Sequence, residues 1–146
     1  MRYLLLLPII LLSCTKPQPT QPTQVTEQEF SDSLLEYIYE MRIEHPYIVY
    51  AQALKESARF TSNIYKENHN LFGMKVPERR STVVIGVNRG HAVYLDWKMS
   101  VIDYALFQEA YMSGLTEDEY LVRLGRIYAS DTNYEKDLRK LLKEIR

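Results

Sequence analysis

The chain has 146 residues, a formal charge of −1 and a single cysteine. A near-neutral charge with no Lys/Arg cluster among aromatic side chains lacks the footprint of a nucleic-acid binder, and one cysteine excludes an intramolecular disulfide. The length leaves room for one small domain once the polar segment near the N-terminus is set aside.

At the N-terminus, Arg2 precedes an apolar run from Tyr3 to Leu12 that stops at Ser13-Cys14. This is the layout of an export signal, assigned to residues 1–13. The run is too short for a stable spanning helix and contains Pro8. Leu11-Leu12-Ser13-Cys14 resembles the lipobox of bacterial lipoproteins, which implies cleavage before Cys14 and a lipid on its thiol. Residues 14–28, with Pro17, Pro19 and Pro22 among Thr and Gln, predict an extended tether. Thr15 in place of Asp, and no acidic run after Cys14, point to an anchor on the periplasmic face of an outer membrane.

The folded part is expected over residues 29–146. Phe30, Leu34, Leu35, Ile38 and Met41 stand at helical spacing and predict a first helix from Glu29 to Glu44. Pro46 ends it and suits the first turn of a second helix running to about Arg59. Asn68 to Gly73 reads as a tight loop. The period then changes: Thr82–Val87, a turn at Asn88-Arg89-Gly90, and His91–Leu95 predict a β-hairpin. From Ser100 the spacing of Val101, Tyr104, Ala105, Tyr111 and Met112 is helical again, closing at Ser113-Gly114. Thr116 with Glu119 forms a capping-box start for a helix to about Ile127, and a last helix covers Tyr134 to Ile145. The fold class is mainly α with a small β-hairpin lobe, a lysozyme-like α+β plan.

In the second helix Val49, Ala53, Glu56 and Phe60 share one face, so an acid occupies an apolar phase. Its neighbours Tyr50, Ala51, Leu54 and Ala58 make the helix apolar nearly all round, which implies burial. A carboxyl held against apolar surface has a raised pKa and can donate a proton nearer neutral pH. Glycoside cleavage needs such a donor. The competing reading is a salt-bridged surface glutamate, paired with Lys55 or Arg59.

Three blocks carry a family resemblance: Ala51-Gln52-Ala53-Leu54-Lys55-Glu56-Ser57, His69-Asn70-Leu71-Phe72-Gly73-Met74-Lys75 and Tyr128-Ala129-Ser130-Asp131-Thr132-Asn133-Tyr134. In that order they resemble the signature of the glucosaminidases of glycoside hydrolase family 73. His69 stands where the family usually has Asn, and Ala58 where it often has Gly. The resemblance implies a general acid at Glu56 and a cleft tyrosine at Tyr128, whose hydroxyl positions the substrate acetamido group or a water. Tyr134 would pack beneath it. Asn70, Phe72 and Tyr134 become candidate substrate-binding residues, although a capping amide, a buried ring and the turn glycine Gly73 explain the middle block equally well.

The resemblance places a second acid in the β lobe, where the candidates are Glu78 and Asp96. Glu78 could equally be ion-paired with Arg79 or Arg80, and Asp96 could cap the next helix. A substrate 2-acetamido group attacking its own anomeric carbon needs no second acid. The implied function is an endo-β-N-acetylglucosaminidase acting on the peptidoglycan glycan strand, as a monomer held to the membrane by its N-terminal lipid. A lytic transglycosylase and a non-catalytic glycan-binding or scaffold lipoprotein are the alternatives; the Gly-Leu-Met-Gln block of the former is absent. His45, His69 and His91 have no ligand spacing and no glycine-rich phosphate loop occurs, so neither metal nor cofactor is expected.

Overall fold

The computed structural model describes residues 26–128 and 132–146. The export signal, Cys14, most of the tether and Ala129 to Asp131 lie outside the described residues. Among the described residues there are six helices and one two-stranded sheet: α1 (Glu27–Glu40), α2 (Pro46–Glu56), α3 (Asn63–Asn68), β1 (Gly86–Asn88), β2 (His91–Val93), α4 (Trp97–Tyr111), α5 (Glu117–Ile127) and α6 (Tyr134–Ile145).

α1 begins inside the segment expected to be tether. Thr26 accepts the Glu29 N–H and the Glu29 carboxylate accepts the Thr26 N–H, at 3.2 and 2.8 Å, so a capping box starts the helix early. It also ends four residues short of Glu44, because Arg42 takes a left-handed backbone (φ 52°). α2 starts at Pro46 as expected but stops at Glu56. Ala58, Arg59 and Phe60 are all left-handed, while Ser57 donates to the Ala53 carbonyl and accepts the Phe60 N–H. This turn brings Phe60 back under α1, where its ring meets Phe30 at 4.8 Å.

α3 was not anticipated: it is one short turn and a half, capped by Ser62, too brief to show a period. The hairpin is shorter than expected. Gly86 pairs with Val93, Val87 with Ala92 and Asn88 with His91, around a two-residue turn in which Arg89 and Gly90 both have positive φ. The preceding stretch is drawn instead to α4, since the Thr82 hydroxyl and the Val83 N–H both donate to Asp103. α4 begins three residues before Ser100, capped by Asp96. α5, with its Thr116/Glu119 capping box, and α6 stand where the sequence places them.

α2 runs through the middle of the domain. Val49, Ala53 and Leu54 join the cluster built on α1, α4 and the 71–74 loop, whereas Ile48 and Ala51 join the cluster of α5 and α6. Each fully buried Val, Leu or Ile contributes about 1.5–3 kcal/mol relative to exposure. The apolar circumference of α2 is therefore satisfied on both sides, and its last residue, Glu56, emerges where the two clusters and the β lobe meet.

Candidate active site

Glu56 is the C-terminal residue of α2 and half-buried. The Tyr134 hydroxyl donates to its Oε1 at 2.6 Å. Its Oε2 faces Gly73, where a Cβ would stand 3.1 Å away. Neither cation considered as a partner reaches it: Lys55 pairs with Asp137 at 2.6 Å and Arg59 with Glu144 at 3.2 Å. Burial pushes the Glu56 carboxyl above the usual glutamate range, against the opposing effects of the Tyr134 hydrogen bond and the charges of Lys55 and His91. A proton therefore stays on this group at higher pH than on an exposed glutamate.

Gly73 has φ +63° as well as its close approach to the carboxylate. A side chain there meets two penalties, a left-handed backbone costing about 1–2 kcal/mol and displacement of Oε2. Gly73→Ala should melt at lower temperature and lose more activity than that stability loss explains. A variant with wild-type turnover per folded molecule would show that the space beside Oε2 is not used.

Tyr128 caps α5, and its hydroxyl donates to the Phe72 carbonyl. Its ring stacks on Tyr134 (6.0 Å, 24°) and meets Phe107 edge-on at 5.6 Å. The proton expected to position substrate is thus engaged with the loop, which leaves the ring and an acceptor lone pair. Burial raises both phenols, so each remains a neutral O–H donor. Tyr134 lies beneath Tyr128, almost wholly buried, and what it touches is Glu56 rather than open space. A groove of about 370 Å³ opens beside this cluster, lined in part by Gly73, Lys75, Val76, Phe107, Tyr111 and Tyr128.

Asn70 and Phe72 do not line it. Both are fully buried. The Asn70 amide donates to the Met74 and Ala92 carbonyls, each at 2.9 Å, and accepts the Met74 N–H at 3.0 Å. The Phe72 ring packs 4.4 Å from Tyr104. They shape the loop that presents Gly73, and among the described residues their contacts lie within the protein.

The two candidate second acids are not brought to Glu56 by any contact among the described residues. Asp96 is exposed and its Oδ1 accepts the Met99 N–H at 3.0 Å. Glu78 is exposed in the loop before β1, and Arg80, considered as its partner, binds Asp103 instead. β1 and β2 carry no acid.

Asp103 is the residue that sequence reasoning missed. Its carboxylate accepts Arg80 (3.0 and 2.8 Å), Thr82 (2.6 Å), Tyr94 (2.8 Å) and the Val83 N–H (3.3 Å). Burial alone would raise its pKa, but the donors from Arg80, Thr82 and Tyr94 outweigh that and hold it below the usual aspartate range. Fully ionised and saturated, it ties the β lobe to α4 and is no proton donor. An acid at a buried phase of α4 is the signal that would have exposed it, by the argument already applied to Glu56. No cluster of His, Cys, Asp and Glu able to hold a metal occurs among the described residues.

The sequence model of the family described as "Glucosaminidase: Mannosyl-glycoprotein endo-beta-N-acetylglucosaminidase" matches residues 33–146. No curated protein sequence matches the chain. Three solved structures are similar. The catalytic domain of the autolysin Auto from Listeria monocytogenes has a TM-score of 0.59 at 22% identity, over 88% of each chain. A chain of a type VI secretion system effector–immunity complex from Pseudomonas protegens has 0.66 at 17% identity, over 82% of this chain and 91% of that one. N-acetylmuramoyl-L-alanine amidase from Staphylococcus aureus has 0.58 at 24% identity, over 84% of this chain and 42% of that one. At these identities the likeness is one of fold, a helical body with a small β lobe.

Proposed function

The chain belongs to the glucosaminidase family of glycoside hydrolases, and from that premise we propose that it cuts the glycan strand of peptidoglycan on the reducing side of N-acetylglucosamine, with Glu56 as general acid. The observation that carries this reading is the Glu56 carboxyl itself: burial raises its pKa, one oxygen is held by Tyr134, and the other faces Gly73. The leaving sugar oxygen is a poor leaving group until protonated, and such a carboxyl supplies the proton as the glycosidic C–O bond breaks.

For the opposite side of the anomeric carbon, assistance by the substrate suits the residues present. Asp96 is engaged as a helix cap and Glu78 stands in an exposed loop. The 2-acetamido oxygen would form a bond to the anomeric carbon as the aglycone departs. Water would then open that ring, returning its proton to Glu56. The Tyr128 ring and the groove beside it would receive the sugar, since an apolar face flanked by polar groups suits a pyranose.

A wall substrate is supported by the presence of an autolysin catalytic domain and an N-acetylmuramoyl-L-alanine amidase among the similar structures. We place the protein in the cell envelope as a lipid-anchored monomer, with Cys14 as its lipidation site and the periplasmic face of an outer membrane as its position. That placement rests on the residue pattern from Arg2 to Gln28. The test of function is mass spectrometry of purified wall glycan after digestion. New reducing N-acetylglucosamine ends are expected; an anhydro-muramyl product would make the protein a transglycosylase, and binding without products would make it a scaffold.

A further inference from the structure

A polar chain crosses the core and ends at Gln52, and a separate hydrogen bond from Tyr134 holds Glu56. Gln108 is oriented by the backbone of Glu44: its Oε1 accepts the Glu44 N–H at 2.7 Å and its Nε2 donates to the Glu44 carbonyl at 3.0 Å. The same Nε2 donates to the Tyr120 hydroxyl at 2.8 Å. Tyr120 and Tyr104 hydroxyls stand 2.9 Å apart, and Tyr104 donates to Gln52 Oε1 at 2.7 Å.

The Gln52 carbonyl oxygen faces Tyr104 and its NH2 points away. A hydroxyl carries one proton, so with Tyr104 donating to Gln52, Tyr120 is the donor between the two phenols. That NH2 is fully buried and closes no hydrogen bond to any described residue. The Tyr134 hydroxyl donates its own proton to Glu56 Oε1 at 2.6 Å.

We propose that Tyr134 is a positioning residue for the proton donor: its hydroxyl keeps Glu56 Oε1 as an acceptor and leaves the transferable proton on Oε2, the oxygen facing Gly73. An unfixed carboxylic acid would carry its proton on either oxygen, and only one of them meets the space that Gly73 leaves open. The proposal rests on Glu56 being the general acid.

The experiment compares wild type, Tyr134→Phe, Gln52→Met and Glu56→Gln by kcat, KM and the pH profile of kcat on wall glycan, with a thermal melt of each. Tyr134→Phe keeps the ring stack but removes a hydrogen bond to a group that ionises. Its kcat should fall about 10- to 100-fold with KM unchanged. Its alkaline limb should move to higher pH, because the carboxylate loses a donor. Gln52→Met leaves the Tyr134–Glu56 bond intact and should leave the limb in place. An unmoved limb in Tyr134→Phe, whether or not it loses activity, would mean that Tyr134 only packs the core and would overturn the proposal while an inactive Glu56→Gln left the acid in place. A fully active Glu56→Gln would remove the acid itself.

Discussion

Glu56→Gln should lower the rate of wall digestion by about a hundred- to ten-thousand-fold, the usual contribution of general acid assistance. The amide nearly matches the carboxyl in size and can still accept the Tyr134 hydroxyl, so the loss belongs to the missing proton and not to the fold. Stability should move the other way. Because burial raises the folded-state pKa of Glu56, the native protein holds a proton that the unfolded chain releases. Wild-type stability therefore falls as pH rises from the unfolded glutamate value, about 4.3, through the raised folded value. The Gln variant has no such dependence and should be the more stable protein above that window. Catalytic activity of wild type should decline on the alkaline side of the same raised pKa. Digestion rates and melts across pH check both halves, and near-normal digestion by a folded variant would exclude Glu56 as the acid.

Asp103→Asn is expected to cost about 3–5 kcal/mol, the range for removing one partner of a buried ion pair. The Arg80 side chain is 6% exposed and its partner not at all, so the guanidinium left behind has neither counter-charge nor water. Against a typical total of about 5–15 kcal/mol this is a large fraction, and a fall in Tm on the order of 10–20 °C follows for a domain of this size. Replacing Arg80 by Met in the same chain should recover much of the loss, because the unpaired charge is then gone. The pH sign is opposite to that at Glu56. With a folded pKa held below the usual aspartate range, Asp103 contributes fully above the unfolded value of about 3.9. That contribution disappears as pH falls through the folded one. Thermal melts of the wild type and both variants from neutral to acid pH measure it; a loss below about 1 kcal/mol at neutral pH would mean that the β lobe is held by other contacts.

Much of the architecture was legible because it rests on short-range chemistry. Pro46 at the first turn of α2, the Thr116/Glu119 capping box of α5 and the apolar spacing of α6 are interactions within a few residues, and each element stands where its signals put it. Glu56 was legible for the same reason, as an acid in an apolar phase of a helix that is apolar all round. Boundaries decided by distant partners were not. α2 stops at Glu56 rather than Arg59 because Phe60 is turned back to meet Phe30, and β1 is short because Thr82 and Val83 are drawn to Asp103.

By itself, then, the sequence determined the helical body with its β-hairpin, the family and the presence of an acid, Glu56, on an apolar face of α2. Only the tertiary structure decided what surrounds that acid. Tyr134 reaches Glu56 across 78 residues of chain, Tyr104 reaches Gln52 across 52, and Arg80 takes Asp103 instead of the nearby Glu78. A periodic pattern records which face of an element is buried. It carries no record of which buried polar group meets which, because that depends on how separate elements pack.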